Sequence, residues 1–396
     1  IRDRLRSRGL GDVYKRQTDM SKYKIMTPGP VQVPENVRLA RSLSTTNADL
    51  DPQFYDEYKE TCELISELLH TKNETLILSG EGILGLEAAC ASMTEPGDRV
   101  LILDNGIYGA GFADFVSMYG GTPVMYTKDY KNAFDVDELD AYLKEDHDFK
   151  YATVVHCDTP SGMLNDIHKI CPLLKSYGIM TVTDSVSGMF GNEVNVDKAQ
   201  IDILCGGSQK AVSAPPGLTF VTISDEAKKV MENRKTPIAS FYCNLTIFKD
   251  YYKNLWFPYT MPISDIYGLK AAMDNIAADK DLIKRHARIA NATRKAIEAF
   301  GLKLHLESGF SDTVTVFDVP EGMTADDILE RMREKHGIML AGSFGELAGK
   351  VIRIGHMGAS ANVGDMLEVM SGLEETLRYL GWKSENSLLG VFHTEL

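Results

Sequence analysis

The residue in this sequence that best suits covalent chemistry is Lys210. It lies in the stretch GGSQKAVSAPPG (206–217), which is flanked by the apolar runs IDILC (201–205) and GLTFVTIS (217–224). Proteins seldom bury lysine, so a lysine between two core strands suggests a function. Its neutral amine could form a Schiff base with a carbonyl group, and desolvation would lower its pKa so that it also acts as a base. The alternative is a surface lysine on a tight turn, with its stem lying along apolar neighbours.

A second feature, SGEG (79–82), lies between an apolar run and a helical pattern. The amides around Gly80, Gly82 and Ile83 would therefore lie at a helix N-terminus, which is a site where anions bind. A glycine-rich turn between a strand and a helix is common, so this feature alone is weak evidence for a ligand.

Polar side chains also follow two further apolar runs. The stretch DTPSG (158–162) supplies the hydroxyl groups of Thr159 and Ser161, and Asp184 ends the run IMTVTD (179–184). Ligands of open α/β sheets bind beyond the carboxyl ends of the strands, so these side chains should lie near Lys210. Asp184 could instead cap a helix or lie in a loop.

Together, an amine nucleophile, a buried carboxylate and an anion site are what pyridoxal chemistry requires. Lys210 would bond to the aldehyde, and Asp184 would keep the pyridine nitrogen protonated so that the ring accepts carbanion charge. The helix N-terminus would hold the phosphate. The order of these features along the chain favours this interpretation over the separate structural explanations.

The elements that must position these residues alternate between strand and helix. The predicted strands are 75–79, 99–103, 122–127, 151–157, 179–184, 201–207 and 219–224. The predicted helices between them are 82–93, 109–120, 135–145 and 166–178. Several strands are apolar along their whole length, which predicts an α/β domain with a mostly parallel sheet sandwiched by helices.

The pattern changes after about residue 275, where a smaller α+β domain is predicted. Its helices are 281–301, 325–337 and about 363–380, and its strands are 313–319 and 350–355. We therefore predict a large domain over 20–275, a small C-terminal domain over 276–385 and a tail over 386–396. Residues 1–19 are interpreted as a non-native or disordered extension, with Met20 as the natural start, because the first 17 residues hold six basic residues and lack apolar periodicity.

Composition narrows the classes of function. The net charge of −14 and the absence of a basic patch in the body of the chain argue against a nucleic-acid partner. No apolar run approaches the length that spans a membrane. The six cysteines are scattered without a Cys-x-x-Cys pair, which is typical of reduced thiols in a cytoplasmic protein and predicts no metal site.

From about residue 22 to 380 the chain resembles the class V aminotransferases of pyridoxal-phosphate fold type I, in the alanine–glyoxylate and serine–pyruvate group. The motifs that carry the resemblance are TPGPVQVP (27–34), SGEGILGLEAA (79–89), NGIYG (105–109), DTPSG (158–162), DSVSG (184–188), GSQKAVSAPPG (207–217) and GKVIRIGHMG (349–358). The resemblance implies that Lys210 holds the cofactor aldehyde and Asp184 contacts the pyridine nitrogen. Val186 and Tyr108 would cover the two faces of the ring, although Tyr108 could be a core tyrosine instead.

The resemblance also implies the remaining site residues. The candidate cofactor-binding residues are Gly80, Glu81, Gly82, Ile83, Tyr108, Thr159, Ser161, Asp184, Val186, Gln209, Lys210 and Thr260. Arg353 would bind the substrate carboxylate, for which a planar two-pronged donor is suited. The turn with Pro28 and Gly29 would line the substrate pocket. Thr260 would reach the phosphate of a neighbouring subunit, which implies a homodimer or homotetramer with shared active sites.

Two positions depart from the family pattern. Glu81 stands where most relatives have a small residue such as serine, and Phe257 stands where many have a tyrosine that contacts the phosphate. A carboxylate repels a phosphate, so both changes favour a ring without phosphate. The stretches HCDTPSG, APPGLT, FPYT and RIGHMG also resemble the pyridoxamine–pyruvate aminotransferase branch. Alternatively, Glu81 turns outward, caps the helix and spares the phosphate.

We therefore expect an aminotransferase with pyruvate or glyoxylate as the amino acceptor. Pyridoxamine is the favoured donor, with unphosphorylated pyridoxal and pyridoxamine bound as substrates; alanine or serine as donor, with pyridoxal phosphate as resident cofactor, is the alternative. A cysteine desulfurase would usually have a histidine at position 209, where this chain has Gln209, and Cys243 is the only downstream cysteine. An inactive binding protein would lack Lys210, Asp184 or Arg353, and all three are present.

Overall fold

The structure is a computed structural model of the chain, and it describes residues 23–396. The interpretation of residues 1–19 as an extension, with Met20 as the start, lies outside the described residues.

Thirteen strands and fourteen α-helices are assigned in the described residues. The strands are β1 Lys24–Ile25, β2 Glu74–Ser79, β3 Arg99–Asp104, β4 Thr122–Thr127, β5 Tyr151–Val155, β6 Cys157–Asp158, β7 Met163–Leu164, β8 Met180–Asp184, β9 Ile203–Gly207, β10 Leu218–Ile223, β11 Val314–Asp318, β12 Ile338–Met339 and β13 Val351–Gly355. The helices are α1 Glu35–Ala40, α2 Pro52–Leu68, α3 Gly82–Met93, α4 Ile107–Met118, α5 Val136–Glu145, α6 Ile167–Ser176, α7 Val196–Ala199, α8 Asp225–Glu232, α9 Tyr251–Asn254, α10 Ile263–Ala278, α11 Leu282–Ala299, α12 Ala325–His336, α13 Val363–Tyr379 and α14 Leu388–Glu395.

The large domain is built on a seven-stranded sheet with the order β2-β10-β9-β8-β5-β3-β4. Within this sheet β10 runs antiparallel to both of its neighbours, and the other strands are mutually parallel. Every residue of β5, β9 and β10 is buried, as expected for strands covered on both faces. The predicted α/β class with a mostly parallel sheet is therefore confirmed.

Helix α3 approaches the sheet closely because its inner face is made of small residues. Ala88, Ala89 and Ala91 are fully buried, and a Cβ atom on Gly85 would lie 2.4 Å from Oγ1 of Thr219 on β10. Helices α3 and α4 begin just beyond β2 and β3, at the same edge where β8 and β9 end. This edge therefore collects two helix N-termini and two strand ends, as ligand sites in such sheets do.

The smaller domain has its own hydrophobic core. The antiparallel pair β11 and β13 packs with α11, α12 and α13, and Phe300, Phe317 and Leu373 are among its buried side chains. The N-terminal end of the described chain also belongs here, because β1 pairs with β12 and Met26 is buried in this core. The first described residues therefore pack on the small domain, although the sequence pattern had assigned them to the large one.

The segment 386–396 differs from the tail that we predicted. It contains helix α14, in which Leu388 and Phe392 are fully buried in the core of the small domain. Ser387 is the N-cap of this helix, and its hydroxyl accepts a hydrogen bond from the amide of Gly390. The prediction failed because the segment is too short to show a helical period, while its two apolar side chains find partners only in the folded protein.

Candidate active site

Lys210 lies just after β9, and its side chain extends towards the turn that contains Pro28 and Gly29. Its ammonium donates a hydrogen bond to the carbonyl of Pro28 at 2.7 Å. Gly29 has φ of +105°, and a Cβ atom there would lie 2.4 Å from Cδ of Lys210, so this close approach requires glycine. Burial lowers the pKa of Lys210 to about 8, even though the carboxylate of Asp184 opposes this shift. The amine is thus poised to lose its proton near neutral pH.

Asp184 is the last residue of β8 and is 5% exposed. Its Oδ1 accepts a hydrogen bond from the amide of Val186 at 2.9 Å. Burial raises the pKa of this carboxyl to about 7, and the bond from Val186 and the charge of Lys210 only partly offset the effect. A cation held against Asp184 would favour the carboxylate, so the site is suited to a protonated ring nitrogen.

A cavity of about 140 Å³ lies between these two groups and the start of α3. Its walls include Glu81, Tyr108, Asp184, Val186, Gln209 and Lys210. Val186 is packed tightly against the glycine-rich turn, because a Cβ atom on Gly82 would lie 2.7 Å from Cγ2 of Val186. The structure therefore brings eight of the predicted residues, including Gly82 and Ile83, to one cavity of the size of a single aromatic ring with its substituents.

The predicted anion site at the start of α3 is already engaged by a carboxylate. Glu81 accepts a hydrogen bond from the amide of Ile83 at 3.2 Å, and its second oxygen accepts one from Nε2 of Gln209 at 3.4 Å. The amide of Gly80 donates to the carbonyl of Gly217 at 2.9 Å. Contrary to our expectation for Gly80, this amide extends the sheet and does not point at a ligand.

The residues present fit a pyridoxal ring better than they fit its phosphate. A pyridoxal ring fits the amine of Lys210, the buried carboxylate of Asp184 and the side chains of Val186 and Tyr108. Oε1 of Gln209 is buried and has no hydrogen-bond partner among the described residues. The end of the cavity near α3 offers the carboxylate of Glu81, which matches a hydroxyl donor and repels an anion.

Asp158 is a buried site residue that the sequence analysis did not single out. One of its oxygens accepts the amide of Tyr108 at 3.0 Å, and the other accepts the hydroxyl of Ser161 at 2.7 Å. A Cβ atom on Gly106 would lie 2.4 Å from the Asp158 carboxyl carbon, so the contact requires glycine there. Burial raises the pKa of Asp158. Its position directly after a buried strand, like that of Asp184, is the signal that could have identified it.

Arg353 lies in the middle of β13 and enters the site from the small domain. Its guanidinium donates to the carbonyl of Thr159 at 3.3 Å and also to the carbonyl of Gly342. Burial lowers its pKa. These two bonds fix the plane of the guanidinium and leave further N–H donors for a carboxylate. Thr159 contributes its carbonyl to this arrangement, while Ser161 is bonded to Asp158.

Thr260 and Phe257 do not line the cavity of their own chain. Thr260 is exposed and donates a hydrogen bond to Asp49 at 3.4 Å, so its role towards a neighbouring subunit stays a prediction. Phe257 is 4% exposed and stacks on Tyr55 with a centroid distance of 4.4 Å. Cys243 is 5% exposed, and burial raises the pKa of its thiol, which makes it a poor nucleophile.

Within residues 23–396, none of the helices combines the length and the apolar character that a membrane-spanning segment needs.

The sequence matches the family described as Aminotransferase class-V over residues 37–355. A pyridoxamine–pyruvate transaminase of Mesorhizobium japonicum is 34% identical over 348 residues, covering 85% of this chain and 86% of the relative. An alanine–glyoxylate aminotransferase of Callithrix jacchus is 30% identical over 368 residues, covering 90% and 87%. Among solved structures, the ureidoglycine–glyoxylate aminotransferase of Bacillus subtilis superposes with a TM-score of 0.90 at 30% identity, covering 94% of this chain and 97% of that one.

Proposed function

This chain belongs to the class V aminotransferase family, whose members depend on pyridoxal phosphate, and within that family we propose that it transfers the amino group of pyridoxamine to pyruvate. The products would be pyridoxal and alanine. When bound, the pyridine ring supplies an electron sink for the charge left on a carbon that loses its proton. The residues of this chain would bind the two substrates, orient them and move the proton.

The observation that carries the proposal is the engagement of the Glu81 carboxylate by Gln209 and Ile83 at the end of the cavity. These are the donors that would otherwise hold a phosphate. Pyridoxamine has a hydroxymethyl group in place of the phosphate ester, and its hydroxyl can donate to Glu81. A dianionic phosphate would instead meet a carboxylate.

Lys210 and Asp184 would have separate roles at the ring. Lys210 would hold the carbonyl carbon of pyridoxal through Nζ and would move the proton between the two carbon atoms that exchange the amino group. The lowered pKa of Lys210, about 8, keeps a usable fraction of its amine neutral at pH 7. Asp184 would hold the proton on the ring nitrogen, because its buried carboxylate is stabilised by a cation.

Arg353 would bind the carboxylate of the oxo acid. Its guanidinium is held by Thr159 and Gly342, so a planar pair of N–H donors is presented in a fixed orientation. Pyridoxamine has no carboxylate, so Arg353 would serve the acceptor and not the donor. Pyruvate would thereby be placed on the side of the cavity opposite to Glu81.

A second candidate function is transamination between alanine or serine and glyoxylate, with pyridoxal phosphate as the resident cofactor. The observation that favours it is that Glu81 is the N-cap of α3. A carboxylate held in the cap can point away from a phosphate that binds beside it and so avoid repelling it. The two candidates differ in the donor and in the retention of the cofactor, and both use Lys210, Asp184 and Arg353 in the same roles.

We also propose that the active protein is a cytoplasmic homo-oligomer, either a dimer or a tetramer. Ile83 lines the cavity and is 40% exposed. Tyr242 is 53% exposed and contacts the ring of Tyr259, beside the exposed Thr260, at a centroid distance of 4.8 Å. A second copy that covers these apolar side chains would bring Thr260 to the neighbouring site. The six cysteines, all within the described residues, are free thiols, which suits a reducing compartment.

The deciding experiment compares two amino donors with freshly purified protein. Pyridoxamine plus pyruvate, without added cofactor, should give pyridoxal and alanine in equal amounts. Alanine plus glyoxylate should react slowly even after pyridoxal phosphate is added. If the protein purifies yellow, keeps pyridoxal phosphate through dialysis and ignores pyridoxamine, the second candidate function replaces the first.

A further inference from the structure

Phe344 is an exposed aromatic residue at the entrance to the site, and no role has been assigned to it above. It lies between β12 and β13, immediately before the short 3₁₀ helix Gly345–Leu347, and 43% of its surface is exposed. Single exposed apolar residues are common, so exposure alone means little. The argument depends on what the ring contacts.

The ring of Phe344 lies between two groups with predicted functions. Its centroid is 6.2 Å from that of Tyr108 in an edge-to-face arrangement, and Cζ of Arg353 is 5.8 Å from the ring centroid. Tyr108 lines the cavity that would hold the pyridine ring, and Arg353 would bind the acceptor carboxylate. Phe344 therefore lies near both Tyr108 and Arg353, so a 2-oxo acid held by Arg353 beside the ring would have its C3 substituent close to this side chain.

Neighbouring residues hold the loop of Phe344 against the large domain. Ser343 donates a hydrogen bond to the carbonyl of Pro160 at 3.2 Å. Gly345 lies against the first turn of α4, because a Cβ atom there would lie 3.3 Å from Cδ1 of Ile107. These contacts fix the backbone on both sides of Phe344, so its ring is held in place as a wall and is not merely a loose surface side chain.

We propose that Phe344 determines which 2-oxo acids this enzyme accepts, by closing the substituent side of the acceptor position with an apolar ring. The inference rests on the proposed function, because it assumes that Arg353 binds the acceptor carboxylate. The ring leaves room for hydrogen or methyl, as in glyoxylate and pyruvate, and opposes longer chains by steric overlap. It also opposes acceptors with a second carboxylate, since an aromatic wall cannot solvate a charge and the next charged side chain along the loop is Glu346.

The test is the size dependence of acceptor use in Phe344→Ala. With pyridoxamine as donor, kcat/KM is measured for glyoxylate, pyruvate, 2-oxobutyrate and 2-oxovalerate. In the variant, the ratio of kcat/KM for 2-oxobutyrate to that for pyruvate should rise about 10-fold or more, which is the usual discrimination by one methylene group. Phe344→Leu should give an intermediate ratio. The KM for pyridoxamine should stay within about twofold, because the donor does not use this wall.

Tyr379→Ala is the matched control. Tyr379 is also an exposed ring beside an arginine of the small domain, with Cζ of Arg331 3.4 Å from its centroid, but this arginine is paired with Glu375 and has no predicted role at the site. Its removal should leave the acceptor ratios unchanged. A second readout is calorimetric binding of the unreactive acids propionate and pentanoate, for which Phe344→Ala should favour the longer acid.

The outcomes separate this inference from the proposed function. If the wild type transaminates pyruvate with pyridoxamine but Phe344→Ala keeps the wild-type acceptor and binding ratios, the role of Phe344 is wrong and the function stands. If the wild type does not use pyridoxamine but transaminates small oxo acids with alanine, the proposed donor is wrong, while the acceptor ratios still test Phe344. If Tyr379→Ala shifts the ratios as strongly as Phe344→Ala, the effect does not arise at the site and the inference is overturned.

Discussion

Replacing Glu81 with serine should tighten the binding of pyridoxal phosphate relative to the binding of pyridoxal. In the structure the Glu81 carboxylate accepts hydrogen bonds from the amide of Ile83 and from Gln209. A serine hydroxyl can still cap the helix by accepting the amide bond, so the stability of α3 should change little. The substitution therefore removes the charge and releases Gln209 without unfolding the turn.

The expected magnitude follows from the position of Glu81. Two unit charges about 4 Å apart repel by about 1 kcal/mol in bulk water and by about 4 kcal/mol at an effective dielectric constant of 20. Glu81 lines the cavity but its side chain is exposed, so the effect should lie in the lower part of this range. An improvement of about 10-fold in the Kd of pyridoxal phosphate corresponds to about 1.4 kcal/mol.

The assay is equilibrium dialysis of both pyridoxal forms against the wild type, Glu81→Ser and Glu81→Gln. Glutamine keeps the length of the side chain and removes its charge, so it should reproduce most of the effect. Asp135→Asn is a suitable control, because Asp135 is another acidic helix cap, accepting the amides of Asp137 and Glu138 away from the cavity. The reasoning is refuted if the ratio of the two Kd values is the same in the wild type and in Glu81→Ser.

Three further substitutions test the remaining roles. Lys210→Ala should reduce turnover by several orders of magnitude, and borohydride trapping of pyridoxal on the wild type should modify Lys210, so a label on another lysine would contradict the assignment. Capture of pyridoxal by the wild type should rise with pH with a midpoint near pH 8, because the neutral amine is the nucleophile and its pKa is about 8. Asp184→Asn should slow turnover. Burial raises the pKa of Asp184 from 3.8 to about 7, so the wild type without ligand should lose up to about 4 kcal/mol of unfolding free energy between about pH 4 and pH 7. Denaturant titrations of the variant should show no such loss. Arg353→Lys should raise the KM for pyruvate far more than that for pyridoxamine, since lysine lacks the paired donors; equal changes in both would indicate a structural role.

The sequence predicted the secondary structure of the site closely because each element has a clear local pattern. The helix predicted over 82–93 has the bounds of α3, and the strand predicted over 122–127 has those of β4. Apolar runs between turn residues identify strands, and the position of Asp184 and Lys210 at strand ends follows directly from those runs. Their clustering at one edge follows from the parallel arrangement, so the grouping of Asp184 and Lys210 could be predicted without coordinates.

The hydrogen-bond partners within the site could not be predicted in this way. Asp158 contacts the amide of Tyr108 from 50 residues away, and although its position beside a buried strand makes it a candidate, its local sequence does not show this partner. The helix over Leu388–Glu395 and the pairing of Lys24–Ile25 with Ile338–Met339 likewise depend on distant partners. A short segment has too few residues for a periodic pattern, so its conformation is decided by the surface on which it packs.

The sequence by itself thus determined the order of strands and helices and the types of group at their ends, because periodicity and turn chemistry act over a few residues. Only the tertiary structure decided that Glu81 is held by Gln209, 128 residues further along the chain, and that Phe344 lies between Tyr108 and Arg353. These contacts join elements that are far apart in the chain, and the position of Phe344 beside Tyr108 also depends on how the small domain packs on the large one. The choice of donor and acceptor rests on such contacts, and for that reason it depends on the fold as a whole.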